Sequence, residues 1–182
     1  MDFSAGADLA SQAEVAAEAL SLGLSRCVTL QFPGAGQFTW DTHANNDADQ
    51  ATLWEGLFQG LGRIMGILEA TPGETQPTLA EETVVVVLSE MGRTPKLNGA
   101  NGKDHWPYTS ALMLGPGVQG GRVIGGFDDG YYGLNVDPDS GDSTPNGQIL
   151  SAEALGATLL QLADIDPAEA LPTVRPITGA LV

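Results

Sequence analysis

Thr83-Val84-Val85-Val86-Val87-Leu88, followed at once by Ser89-Glu90-Met91-Gly92-Arg93-Thr94-Pro95, is the stretch on which the fold turns. Four valines stand together behind a β-branched threonine, and a short apolar run of this kind reads as a strand. With no alternation to leave one face to water, it predicts a central strand covered on both faces, as in parallel sheets. The polar, Gly-containing residues that follow then sit at the strand's carboxyl end. In open α/β sheets that is where ligands gather.

Upstream, residues 9–24 predict a helix, because Leu9, Ala13, Ala16, Leu20 and Leu24 recur at helical spacing. Residues 26–32 read as a buried strand, broken by Pro33-Gly34-Ala35-Gly36. Residues 49–69 predict a second helix, with Leu53, Leu57, Leu61, Ile64 and Leu68 on one face and Asp47 or Asp49 as its cap. A Pro/Gly linker spans 71–77. Downstream, 109–114 reads as a strand, 122–124 as a short one, 126–148 as a long Gly/Asp/Pro loop, and 151–163 as a third helix ended by Asp166-Pro167. Helix, strand, helix, strand, strand, helix predicts an α/β fold with helices on both faces of the sheet. Residues 1–182 read as a single domain.

The composition excludes some functions. Acidic residues number 23 against 7 basic, a net charge of −16, which argues against nucleic acid because phosphate binding needs a positive surface. No apolar run is long enough to span a membrane. Met1-Asp2-Phe3 opens without the basic and apolar regions of an export signal. Cys27 is the sole cysteine, so no intrachain disulfide forms, and it reads as a small buried hydrophobe in the 26–32 strand.

The chemistry concentrates in three loops. The only two histidines each lie beside an aspartate, in Trp40-Asp41-Thr42-His43-Ala44-Asn45-Asn46 and in Gly102-Lys103-Asp104-His105-Trp106-Pro107. Glu90 stands between them, after the strongest strand. Carboxylate oxygen and imidazole nitrogen form the usual mixed ligand set for zinc, manganese or iron. Alternate residues of an extended chain share a face, so Asp41 and His43 can point the same way. Asp41, His43, Glu90, Asp104 and His105 are therefore the candidate metal ligands. Taken singly, Asp-x-His is more often a hydrogen-bonded structural pair, and Glu90 at a strand end can simply cap a turn or pair with Arg93. Arg93, Lys96 and Lys103 bring three of the seven basic residues into eleven positions. They are candidates to hold a phosphate or sulfate oxyanion, or simply a balance to the neighbouring acids. Asp137-Pro138-Asp139-Ser140-Gly141-Asp142 lacks the register of a calcium loop and reads as an acidic turn.

Taken in order, W-D-T-H-A-N-N, V-V-V-L-S-E-M-G-R-T-P, G-K-D-H-W-P and L-G-P-G-V-Q-G-G resemble a bacterial family, the domain of unknown function 1501, of the alkaline phosphatase and sulfatase superfamily. The resemblance runs from the first helix to the C-terminus. It implies an alkaline phosphatase-like sheet and a two-metal centre in which Asp41 and His43 hold an ion completed by His105, with Glu90 on the neighbouring ion. Where the superfamily often has Asp-His at that strand end, this chain has Glu90-Met91, one histidine short. The superfamily's early aspartate ligand and nucleophile lie on a first strand and helix upstream of this sequence. Asp2 and Ser4 follow no strand and are not assigned those roles.

These readings lead to a metal-dependent hydrolase-like domain for phosphate or sulfate esters, lacking its N-terminal strand and helix. Its cofactor would be zinc, with manganese, iron or calcium as alternatives, and its ligand a small anionic ester. The alternative is a non-catalytic binding or structural domain that keeps the fold and a remnant metal site; a calcium-stabilised surface protein built on residues 128–142 is a third reading. A sheet edge left open predicts a homo-oligomer or a partner supplying the missing segment. The resemblance implies an exported or periplasmic protein, and the bare N-terminus a cytoplasmic one.

Overall fold

A computed structural model describes residues 9–182, so Asp2 and Ser4 lie outside the described residues. The chain is mixed α/β, and its contacts divide it into two compact units, Met1–Pro116 and Gly117–Val182.

In the first unit, α1 (Leu9–Ser21) and α2 (Asn46–Ala70) build the core. Leu9, Ala13 and Ala17 of α1 meet Leu57, Leu61, Ile64 and Leu68 of α2, and Leu79 from a short 3-10 turn closes the cluster. Gly60 of α2 lets the helices approach closely there: a Cβ on it would stand 2.6 Å from the Leu9 side chain of α1. The spacing predicted for α2 is borne out, since Leu53, Leu57, Leu61, Ile64 and Leu68 are all buried. Its cap differs from the expectation. Asn45, in the left-handed conformation, occupies the cap position, while Asp47 and Asp49 sit in the first turn, where carboxylates favour the helix dipole.

Three short antiparallel pairs complete this unit. The hairpin β1 (Gly34–Ala35) and β2 (Phe38–Thr39) turns through Gly36 at φ +61°. β3 (Val85–Val87) pairs with β6 (Leu112–Leu114), Val86 opposite Met113. β4 (Gly92–Arg93) pairs with β5 (His105–Trp106), Arg93 opposite His105.

The valine run is thus a strand, but the expected central parallel strand is corrected: β3 is antiparallel to its one described partner and only half-buried. A β-branched run states that a segment suits a pleated, covered surface; it does not supply the neighbours. The same reason corrects residues 26–32. They form no described strand, and Cys27 is exposed rather than buried. Gln31 is tied to α1, its backbone exchanging two 2.9 Å bonds with the Gln12 side chain, and Phe32 O accepts from Trp40 Nε1 at 2.9 Å.

The second unit packs around α3 (Ala152–Leu162), capped by the Ser151 hydroxyl, which accepts from Ala154 N at 3.2 Å. Thr158 is buried and accepts from Ile177 N at 2.9 Å, tying the C-terminal stretch to the helix. Val136, fully buried, bridges Ser143 and Gln148. A short helix α4 (Pro167–Ala170), which the sequence reading passed over, starts where Asp166 caps it and proline fits its first position. The strand expected at 122–124 does not form. In the acidic loop, Asp137 accepts from the backbone of Asp139 and Ser140, and Asp139 pairs with Arg175 at 2.6 Å.

No helix among the described residues is long and apolar enough to cross a membrane.

Candidate metal-binding loop cluster

The 41–46 and 98–104 loops lie side by side because their backbones bond directly. Lys103 N donates to Thr42 O at 3.0 Å, Asn46 N donates to Asn101 O at 3.0 Å, and Ala44 bridges Asn101. Asn45 and Asn101 take left-handed conformations, φ 52° and 55°, which asparagine tolerates better than most residues. At Gly102 the chains come closest: a Cβ there would collide with the His43 carbonyl.

Thr42 and Asn98 organise the two loops. Thr42 is fully buried, and its hydroxyl accepts from Asn46 Nδ2 at 2.8 Å and Gln50 Nε2 at 3.1 Å, pinning the loop to the first turn of α2. With Thr42 turned inward, its neighbours Asp41 and His43 are both exposed, as alternation predicts. Asn98 uses both ends of its amide. Its oxygen accepts from Ala100 N and Gly102 N, and its nitrogen donates to His43 O and Asp104 Oδ1, each at 3.0 Å.

On this frame His43 and His105 meet, with ring centres 4.8 Å apart. His43 Nδ1 bonds Asp41 Oδ1; a carboxylate only accepts, so Nδ1 is the donor of this bond. The hydrogen bond from His43, and then that from Arg93, hold the Asp41 carboxyl below its ordinary value of 3.8.

Arg93 threads between the loops. Its Nη2 donates to Trp40 O at 2.9 Å and Asp41 Oδ1 at 3.1 Å; its Nη1 donates to Lys103 O at 3.1 Å. Nη1 also lies 3.3 Å from Nδ1 and 3.4 Å from Nε2 of His43, so the guanidinium is laid against the imidazole.

The other predicted residues stand apart. Asp104 reaches the cluster through Asn98 rather than by touching a histidine. Glu90, exposed between β3 and β4, makes no hydrogen bond or ion pair with Asp41, His43 or His105 among the described residues. Lys96 is exposed on the segment after β4, and its carbonyl accepts from Thr94 Oγ1 at 3.1 Å. The sequence reading missed Thr42, Asn98 and Gly102. The Asn98-Gly99-Ala100-Asn101-Gly102 run was their signal, since Asn and Gly mark a tight turn.

Two imidazoles and a carboxylate are donor types that a divalent ion takes. With metal–nitrogen distances of about 2.0–2.1 Å and tetrahedral angles, two imidazoles sharing an ion stand with ring centres roughly 5 Å apart. The 4.8 Å separation of the two rings is of that size, and Asp41 Oδ1 is bonded to His43 and Arg93. Among the described residues, no three His, Cys, Asp or Glu side chains converge into a closed metal grip. The guanidinium of Arg93 lies against two of the three nearest donors. A cleft among the described residues lies elsewhere, between α1 and the C-terminal end of α2, lined by Glu14, Glu18, Ile67 and Thr71. At 1.5 Å per residue, Ile67 is roughly 30 Å along α2 from Asn46, so that cleft has no part in this cluster.

The family model described as "Protein of unknown function (DUF1501)" matches residues 8–175. No curated protein matches the chain, and no solved structure does.

Proposed function

The chain belongs to the DUF1501 family of proteins of unknown function, and from that premise we propose that it is a metal-dependent hydrolase-like domain for phosphate or sulfate esters, of the alkaline phosphatase and sulfatase-like kind. The observation that carries this reading is the pair His43 and His105, 4.8 Å apart, with Asp41 on the first of them.

His43 and His105 would hold the ion through ring nitrogens, with Asp41 as ligand or as the acceptor that orients His43; zinc suits this donor set best. Asp104 and Glu90 are further carboxylates for a neighbouring ion. When bound, the metal supplies Lewis acidity toward an ester oxygen. The chain's own residues do the rest. The Asp41 bond orients the His43 ring, which would leave Nε2 as the nitrogen to hold an ion. Asn98, through the His43 carbonyl and the Asp104 carboxylate, keeps the two histidine loops at one spacing. Lys96 and Lys103 supply positive charge beside the cluster for an incoming oxyanion, while the donors of Arg93 are engaged in joining the loops.

The test is metal analysis of the purified chain, then assay of aryl phosphates and aryl sulfates with zinc or manganese. Turnover should appear with metal and fall in His43→Ala and His105→Ala by more than the 10–100-fold typical of outer partners, roughly. A chain that binds no metal and turns over neither ester class removes the proposal.

One observation favours the second reading, a non-catalytic binding domain. Asp41, His43, Asp104 and His105 are all exposed, whereas reaction centres are usually recessed. In that case metal raises the melting temperature without turnover.

A further inference from the structure

We infer that the turn Asp128-Asp129-Gly130-Tyr131-Tyr132, in the second unit, is a docking point for a basic segment of a partner protein, with an arginine side chain seated against the phenol rings and carboxylates.

Asp128 builds the turn. Its Oδ1 accepts from Gly130 N at 2.8 Å and from Tyr132 N at 2.9 Å. Its carbonyl accepts from Tyr131 N, and its own N–H donates to Tyr132 O, each at 3.0 Å. A bridge between Phe127 and Gly133 closes the base. Held in this way, Tyr131 takes a φ of 64°. A bulky residue there is strained, and glycine would take the same backbone without strain. Strain of this kind collects where a surface binds something.

The turn presents what a cation recognises. Two of the chain's three tyrosines stand here, Tyr131 43% exposed and Tyr132 67%. Tyrosine offers a large contact area with few torsions to freeze, which suits a binding surface. A Cβ on Gly130 would stand 3.2 Å from both the Tyr132 ring and Asp128 Oδ1, so ring and carboxylate border one spot over a residue with no side chain. Asp128 Oδ2 and the Asp129 carboxylate make no hydrogen bond or ion pair among the described residues.

Charge selects the partner. Residues 117–182 hold nine acidic residues and two basic ones, and both arginines are engaged away from the turn. Arg122 bonds Ser140 O and Asp142, and Arg175 pairs with Asp139. The two carboxylates of the turn are left for an outside cation. A guanidinium is planar, so it stacks on a phenol face while its fork meets a carboxylate; an ammonium supplies the charge alone. An anionic partner would be repelled.

Titration of the full chain with a labelled octa-arginine peptide tests the docking, at about 0.15 M salt to screen the general attraction of an acidic chain. Wild type should bind octa-arginine more tightly than octa-lysine. Tyr131→Gly and Tyr132→Ser leave the net charge unchanged, and each should weaken binding about fivefold, the size of a cation–π contact. Asp129→Asn should weaken it similarly. Tyr131→Gly separates docking from folding, because glycine relieves the strain and should leave the melting temperature equal or higher. If both tyrosine variants bind as wild type does, the attraction is general charge and the inference fails. A melting temperature that drops in Tyr131→Gly assigns the tyrosine to the fold and also overturns it.

Discussion

At Gly102 the absence of a side chain is what permits the cluster. Any Cβ would strike the His43 carbonyl, and backbone cannot swing aside as a side-chain tip can. Gly102→Ala should therefore cost about 1–3 kcal/mol, the usual penalty of overpacking, and weaken zinc binding by parting the two histidine loops. Denaturant midpoints and zinc titration check both; unchanged values in each would show that the loops do not depend on this contact. Glu82 makes a second residue-scale case. Its carboxylate accepts from the backbone of Glu74, Thr75 and Gln76 and from the Thr75 hydroxyl, folding the 74–76 turn around itself. The Thr75 hydroxyl bond leads the causes that hold its pKa down from 4.5 to about 2. A folded value below the unfolded one means that its contribution is fully present above pH 4.5 and is lost as pH falls through about 2. Acid titration of stability should show that loss in wild type and a weaker one in Glu82→Gln, whose neutral amide cannot titrate.

Among the elements, α2 positions the site. Its first turn is tied to Thr42 through Asn46 and Gln50, and Leu53, fully buried less than two turns further on, anchors that end. Leu53→Ala should destabilise by about 2–5 kcal/mol, and thermal or denaturant unfolding would show it. A cost below about 0.5 kcal/mol, the level of ordinary surface substitutions, would mean that the helix is anchored elsewhere. The helices were legible in the sequence because burial imposes a period on them: the five apolar positions of α2 all turn inward. The strands were less so. Val85 to Val87 announced a strand but not its partner, and Cys27 and Val28 announced one that does not form among the described residues, since pairing depends on distant chain. The site divides the same way. Asp41, His43 and His105 were readable as donor types, and the structure brings them together. Their spacing depends on Thr42, Asn98 and Gly102, whose roles exist only once two loops touch, and Arg93 read as an oxyanion grip although its donors face the loops.

For the molecule as a whole, a net charge of −16 on 182 residues means that self-repulsion opposes compaction. Raising salt from about 0.01 to 0.15 M shortens the screening length from about 30 to 8 Å, so the melting temperature should rise over that range. A flat or falling curve would show that local pairs such as Arg93–Asp41 and Arg175–Asp139 outweigh the general repulsion. A bound divalent cation relieves the same repulsion and adds its own binding energy, so zinc should stabilise the wild-type chain but not the His43→Ala,His105→Ala double variant. Zinc-edge X-ray absorption of the zinc-loaded full chain tests the central claim most directly. The account predicts two imidazole nitrogens at about 2.0–2.1 Å, with one lost in His43→Ala and one in His105→Ala. A zinc environment without histidine scattering, or one that neither substitution changes, would contradict it.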